Sequence, residues 1–356
     1  MRVHYTASLI VVQLVAAVVG ALGLMILPNG AMASDEQGWQ SYSQIRYTSF
    51  EDKGDYLSVR RLKLYGGGRI AGNWSYYMQF LYKTGNFSST DDQIFVQEFN
   101  AILKTQSGKI TIGQFKPPFG MERFEPDWSM PLIDRTQASD RLIPNGSVGD
   151  SFTRDRGIQW QTSPVNGFNY AVGVFDGNGA NEHLRGNGPL VAGRGVYERR
   201  GDDTRFHAEA AVSWRRDHDI DFLSQFPGAP KGYTAFAGQD ARQDLALAYD
   251  WAGNSLWGEY IASQYHSDKS SVQDVHANGF YIQLARDFSK RWQGAVRYER
   301  LNTDLSAGNS QQWTTVGATY RIHSDYEKLQ INYVIKHERP SEIKNNALIV
   351  QYQRFF

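Results

Sequence analysis

Leu348-Ile349-Val350-Gln351-Tyr352-Gln353-Arg354-Phe355-Phe356, the last stretch of the chain, decides how the rest is read. Stepping by twos gives Leu348, Val350, Tyr352, Arg354 and Phe356 on one face, with Gln351 and Gln353 between them. Successive side chains of a strand point to opposite faces, so this segment predicts a strand with one apolar and one polar face. A strand of that kind turns one face to lipid and the other to a wet interior. Arg354 breaks the pattern, but so close to the end of a spanning strand it falls at the membrane interface, where a lipid-facing charge costs about 0–1 kcal/mol.

The same period of two extends back through the chain. It predicts sixteen strands, at about 38–48, 56–70, 73–84, 92–105, 109–115, 155–163, 168–176, 189–200, 204–216, 240–251, 254–266, 274–288, 291–302, 311–322, 327–339 and 346–356. Trp74, Tyr76, Met78, Phe80 and Tyr82 oppose Ser75, Gln79 and Lys83, and Leu329, Ile331, Tyr333 and Ile335 oppose Gln330, Asn332 and Lys336. The second strand changes phase, with Leu57 and Val59 in one register and Leu62 and Leu64 in the other. A bulge at Arg60-Arg61 reconciles them and turns Arg61, Lys63 and Tyr65 inward.

Connection lengths carry a second signal. Short ones (Ile70 to Asn73, Lys104 to Lys109, Trp251 to Asn254) alternate with longer ones (Lys116 to Arg154, Asp176 to Gly188, Arg216 to Gln239). Short turns on one side and long loops on the other are what an even-stranded outer-membrane barrel requires, and a soluble sandwich has no reason to keep that rule. Trp39, Trp74, Trp251, Trp257 and Trp292 fall at turn-side strand ends and Trp214 and Trp313 at loop-side ends, which predicts two aromatic girdles. The expected fold is all-β, a single 16-stranded antiparallel transmembrane barrel over residues 34–356. It must be closed, because an open edge in lipid leaves backbone groups unsatisfied.

At the other end, Arg2 precedes an apolar run from Leu9 to Leu27 and then Ala31-Met32-Ala33. This is expected to be a secretory signal peptide, 1–33, with cleavage after Ala33; an uncleaved transmembrane anchor is the alternative. No later stretch approaches the ~20 apolar residues a spanning helix needs. The chain has 37 basic and 37 acidic groups, which argues against a nucleic-acid partner. With no cysteine there is neither a disulfide framework nor a thiolate metal site.

Motifs for chemistry are missing. The sequence has no Gly-x-Ser-x-Gly elbow and no His-Glu-x-x-His, and its eight histidines show no metal spacing. His207 and His323 are expected as lumen or interface side chains. Gly66-Gly67-Gly68 lacks the following Lys-Ser/Thr of a phosphate loop and is expected to ease curvature or close packing. Asp217, Asp219 and Asp221 alternate as calcium ligands do, but Phe222 stands where an EF-hand needs glycine, so solvated loop acids are expected. No catalytic residue, cofactor or metal is expected.

The connection from Lys116 to Arg154 is too apolar to float in water, with Trp128, Leu132, Ile133, Leu142 and Ile143. A sixteen-strand lumen is wide enough to hold it, so this third loop is expected to fold inward, its apolar residues on the wall and its charges at a constriction. From Lys116 to Asp155 the basic residues number five against seven acidic ones, so the loop alone does not predict strong anion preference. Selectivity depends on which charges line the narrowest ring.

The run Gly113-Gln-Phe-Lys-Pro-Pro-Phe-Gly-Met-Glu122, the basic strand Arg60-Arg61-Leu62-Lys63-Leu64 and Asp155-Arg156-Gly157 together resemble the phosphate-selective porin O and P family. The resemblance covers essentially all of residues 34–356. It implies a trimeric sixteen-stranded outer-membrane porin, set among lipid and lipopolysaccharide, whose inward basic residues and third loop guide small hydrophilic solutes and anions such as phosphate. The candidate anion-guiding residues are Arg61, Lys63, Lys116, Arg123, Arg135, Arg141 and Arg156; the plainer role for each is an ion pair with a loop carboxylate. A general or cation-tolerant diffusion pore, an outer-membrane hydrolase and a plugged structural barrel are the alternative functions.

Overall fold

A computed structural model describes residues 38–87, 91–144, 153–181, 187–220, 236–270, 274–304, 310–339 and 341–356. The expected signal segment, Asp221 of the acidic triplet and part of the third loop lie outside them. Sixteen antiparallel strands close into one barrel in which each pairs with its sequence neighbours and the first with the last. The first eight are β1 (Gln40–Phe50), β2 (Gly54–Ala71), β3 (Trp74–Thr84), β4 (Ile94–Lys104), β5 (Gly108–Phe115), β6 (Asp155–Thr162), β7 (Phe168–Phe175) and β8 (Leu190–Arg200). Then come β9 (Thr204–Ile220), β10 (Phe236–Trp251), β11 (Asn254–Ser267), β12 (Val275–Asp287), β13 (Trp292–Thr303), β14 (Ser310–His323), β15 (Glu327–Arg339) and β16 (Ala347–Phe355).

The closing pair runs in continuous register from Tyr42 opposite Phe355 to Phe50 opposite Ala347. Tyr42 and Phe355 stack with ring centroids 4.9 Å apart at this seam. Along β16 the expected alternation holds: Gln351 and Gln353 are buried toward the lumen while Leu348 is exposed on the outer face. Arg354 meets Glu327, its partner across the β15–β16 pair, at 3.7 Å, so the charge that interrupts the apolar face is paired. The phase change of β2 is a bulge: Gln44 pairs with Arg61 and Ile45 with Val59, skipping Arg60. Beyond it Arg61 and Lys63 are buried inside and Leu62 and Leu64 exposed outside. In the glycine run, a Cβ on Gly66 would come within 2.9 Å of Trp39 Cα, so close packing accounts for that glycine.

The girdle expectation needs correction at two positions. Trp39, Trp214 and Trp292 are exposed on the outer face, but Trp257 is buried in the lumen against Met121 and Met130. Trp313 shares the inward phase of Gln311 and Thr315 and packs beside Ile133 and Val334 under Lys336. Both tryptophans serve as wall for the third loop, a use that strand-end position does not signal.

After β5 the chain turns into the barrel. It forms two short helices, α1 (Met121–Phe124) and α2 (Gln137–Arg141), and is fastened to inward side chains around the wall. Arg242 on β10 donates to the carbonyls of Leu142 (2.9 Å) and Ile143 (2.5 Å). Glu259 on β11 accepts from the amides of Met121 (2.7 Å) and Glu122 (3.2 Å), the first turn of α1, and Glu299 on β13 accepts from the Gln137 amide (2.6 Å) at the start of α2. Each carboxylate thus satisfies helix-end donors that have no intrahelical partner. Arg297 holds Asp134 O at 2.9 Å, Gln330 holds Met130 O at 3.1 Å and Gln353 holds Trp128 O at 3.1 Å.

Apolar contacts complete the attachment. Leu132, Ile133, Leu142 and Ile143 are buried, Leu142 and Ile143 in one cluster with Ile261 and Tyr265 of β11. The wall is hollowed where the loop seats: a Cβ on Gly317 would fall 2.6 Å from Leu132 Cδ2, and one on Gly279 would fall 2.9 Å from Ala138 Cβ.

Candidate functional site

The loop leans on the β10–β16 wall and leaves a cavity of about 440 Å³ between itself and β1–β6. The phase of each strand decides what enters it. Lys63 and Tyr65 come from β2, Tyr77 and Gln79 from β3, Glu98 and Asn100 from β4, Lys109 and Thr111 from β5, and Gln159 and Gln161 from β6. The loop adds Lys116, Arg123, Phe124, Asp127, Trp128 and Arg135, and Arg154 enters just ahead of β6. Six basic side chains therefore face two acidic ones, Glu98 and Asp127.

Asp127 is the hub. Its carboxylate takes Arg61 at 2.7 Å, Arg135 at 2.7 Å and Lys63. Burial alone pushes that carboxyl up, but Arg61, Lys63 and Arg135 outweigh it and hold the group well below the usual carboxylate range. One negative charge shared among three cations leaves positive charge uncompensated. Arg154 pairs with Glu98 at 2.9 Å, and Arg123 reaches Asp140 at 3.5 Å and Thr153 Oγ1. Lys116 has no carboxylate within 4.0 Å among the described residues; its ammonium donates to Arg123 O at 2.8 Å and lies 5.5 Å from the Phe124 ring centre. Burial, then the neighbouring Arg154, push the Lys116 ammonium well below its usual value. An anion arriving beside such a lysine favours its charged form.

A second cavity of about 570 Å³ shares Lys109, Phe124 and Gln161 with the first and reaches the short β6–β7 turn at Ser163 and Pro164. Its walls carry Lys104, Arg194 and Arg205 against Glu125 and Glu198. Phe124 stands where the two meet, with the Arg194 guanidinium 4.2 Å over its ring.

Of the seven residues selected from the sequence, Lys63, Lys116, Arg123 and Arg135 line the first cavity together. Arg61 lies behind Asp127, in a small crevice with Arg60 and Asp134. Arg141 is buried on the far side of the loop and donates to Gln311 Oε1 at 2.9 Å. Arg156 shares the outward phase of Ile158 and Trp160 and pairs with Asp176 at 2.6 Å, away from the cavity. Lys109 and Arg154 are the additional basic residues; inward parity with Thr111 would have signalled Lys109. His207 is buried between Glu198 (3.4 Å) and Glu209 (3.1 Å), His323 is exposed beside Glu327, and Asp217 pairs with Arg215 at 2.7 Å. Among the described residues no cluster of histidine and carboxylate side chains has metal-holding geometry.

The sequence model of a family described as "Phosphate-selective porin O and P" matches residues 35–353. The chain belongs to that family. It is an outer-membrane porin. No curated protein matches the porin in sequence. Among solved structures it is similar to an anion-selective porin from Comamonas acidovorans, with 13% identity over 90% of this chain and 100% of that one and a TM-score of 0.65. The Salmonella typhi OmpF complex with daunomycin matches at 14% identity, 90% and 97% coverage and a TM-score of 0.65. The trimer form of Vibrio cholerae OmpT, folded in vitro, matches at 12% identity, 90% and 100% coverage and a TM-score of 0.62. At these identities the likeness is one of fold.

The motifs that carry the resemblance build the loop of this porin. Gly120 takes φ +85 where α1 begins, a backbone state that favours glycine. Glu122, fully buried, accepts from the amide (2.9 Å) and hydroxyl (2.8 Å) of Thr136 and so ties α1 to the cap of α2. Asp155 accepts from the amides of Gly177 (3.1 Å) and Gly179 (3.3 Å) and anchors the segment after β7.

Proposed function

We propose that this porin passes small anions, phosphate among them, by passive diffusion through the cavity beside the third loop, whose described residues fold inward and act as its constriction. The single observation that carries the reading is the lining of that cavity, six basic side chains against two acidic ones. Fixed charges at a narrow point bias which ions enter, whatever the net charge of the surrounding loops. The second cavity continues the basic surface toward the turn side and gives the anion an exit. Arginine suits an oxyanion through its planar fork, and lysine supplies a compact charge. The family and the named selectivity of the Comamonas porin agree with this reading. No chemical step is involved, and the assembly is a homotrimer, as in the trimer form of the Vibrio protein.

Phosphate titrated into a chloride-conducting channel tests the proposal. Phosphate is expected to lower the single-channel chloride current in a saturable way, because a multivalent oxyanion dwells among several cations. A current that falls only with the dilution of chloride would count against a phosphate site. An unselective diffusion pore would show equal chloride and potassium permeability as well, and a plugged barrel would be silent.

A further inference from the structure

The cavity beside the loop is only half basic. Below Lys63 and Lys116 it is walled by Tyr65, Tyr77, Ile102, Phe124 and Trp128. Inorganic phosphate, hydrated on all sides, has no use for such a wall, and rings that face water without a partner leave apolar surface exposed.

Strand pairing places the tyrosine rings, and contacts behind the loop place the other two. Tyr77 pairs with Gly67 on one side and Asn100 on the other, so no side chain covers it from β2. Its hydroxyl donates to Gln79 Oε1 at 3.1 Å, which holds the half-buried ring upright in the lumen. Trp128 is braced from behind, stacked on Tyr326 at 6.1 Å and edge-on to Phe355 at 5.6 Å. Phe124 is steadied by Arg194. Pairing also sets the order along the pore: Lys63 and Leu81 at one level, Tyr65 and Gln79 next, then Tyr77 and Asn100, then Ile102 and Thr111, and Lys104 and Lys109 nearest the turns. The rings of Tyr65 and Tyr77 thus lie between two basic levels, with Phe124 and Trp128 of the loop lining the same cavity.

We propose that this cavity binds an anion carried on a ring, the anionic group at Lys116, Arg123 and Arg154 and the apolar face of the ring against Tyr77, Phe124 and Trp128. This rests on the anion-pore reading above and names a substrate class for it. The class covers an aromatic carboxylate and a sugar phosphate alike, since both present a ring face and an anionic group.

The test compares ring-bearing anions with their ringless counterparts as blockers of chloride current through the full-length porin in a planar bilayer: benzoate with acetate, and glucose 6-phosphate with inorganic phosphate. The ring-bearing member of at least one pair is expected to block at about tenfold lower concentration, the gain expected from one well-packed ring contact. Which pair responds identifies the source. Tyr77→Ala is expected to abolish that difference and Tyr77→Phe to keep it, while Tyr249→Ala on the lipid face changes nothing. Equal block within both pairs overturns the inference and leaves anion preference standing, as does a difference that survives Tyr77→Ala. A reversal potential favouring potassium overturns both readings.

Discussion

Replacing Lys109 and Lys116 together by glutamate is expected to abolish anion preference. These two lysines lack a carboxylate within 4.0 Å among the described residues, whereas Lys63 and Arg135 share Asp127, Arg154 has Glu98 and Arg123 has Asp140. The exchange turns a lining of six basic and two acidic groups into four of each. A unit charge about 4 Å from a passing ion is worth ~1 kcal/mol even in bulk water and more where water is scarce, so the chloride-to-potassium permeability ratio should fall about tenfold. Reversal potentials in a potassium chloride gradient measure this directly. Arg156→Glu reverses a charge that the sequence alone ranks with the others, but Arg156 faces outward beside Asp176 and should leave the ratio unchanged. If Arg156→Glu moves the ratio as far as the double lysine variant does, the charge map of the cavity is wrong.

Arg242→Ala is expected to give the largest loss of stability. The Arg242 guanidinium pairs with Asp240, donates to Leu142 O and Ile143 O, and lies 5.6 Å from the Tyr265 ring centre, all of them buried. Its removal leaves Asp240 with Arg215 at 3.3 Å and strips two buried carbonyls of their donor. Each buried acceptor left unsatisfied costs about 1–3 kcal/mol, and the loss of one of the two cations on Asp240 adds to this. Urea unfolding in lipid vesicles should show that loss. Single-channel traces should become noisier as the loop end comes free. Unchanged stability would mean that the loop's other wall contacts hold it without Arg242.

The barrel was legible because its signals are local and repeated. The alternation from Leu348 to Phe356, the phase change at Arg60-Arg61 and the alternating lengths of the connections each follow from one strand or one turn. The alternation reappears along β16, the phase change in the β1–β2 register and the alternating lengths in the order of the strands. The expectation that Lys116 to Arg154 would fold inward followed from Leu132, Ile133, Leu142 and Ile143, and these are the residues buried on the wall. What stayed hidden depends on partners far apart in sequence. The loop carries more acidic than basic groups, yet Asp134 is taken up by Arg46 at 2.8 Å and Glu122 faces Arg297 at 3.6 Å, behind the loop. Lys109 and Lys63 add positive charge from strands outside it. Trp257 and Trp313 sit at strand ends and nonetheless face inward, because the loop needs wall there.

The sign of the reversal potential of the wild-type channel in a potassium chloride gradient tests most directly whether the basic cavity beside the loop governs permeation. A potential lying toward the chloride equilibrium value is the predicted result. A potential at zero, or toward the potassium value, would contradict it.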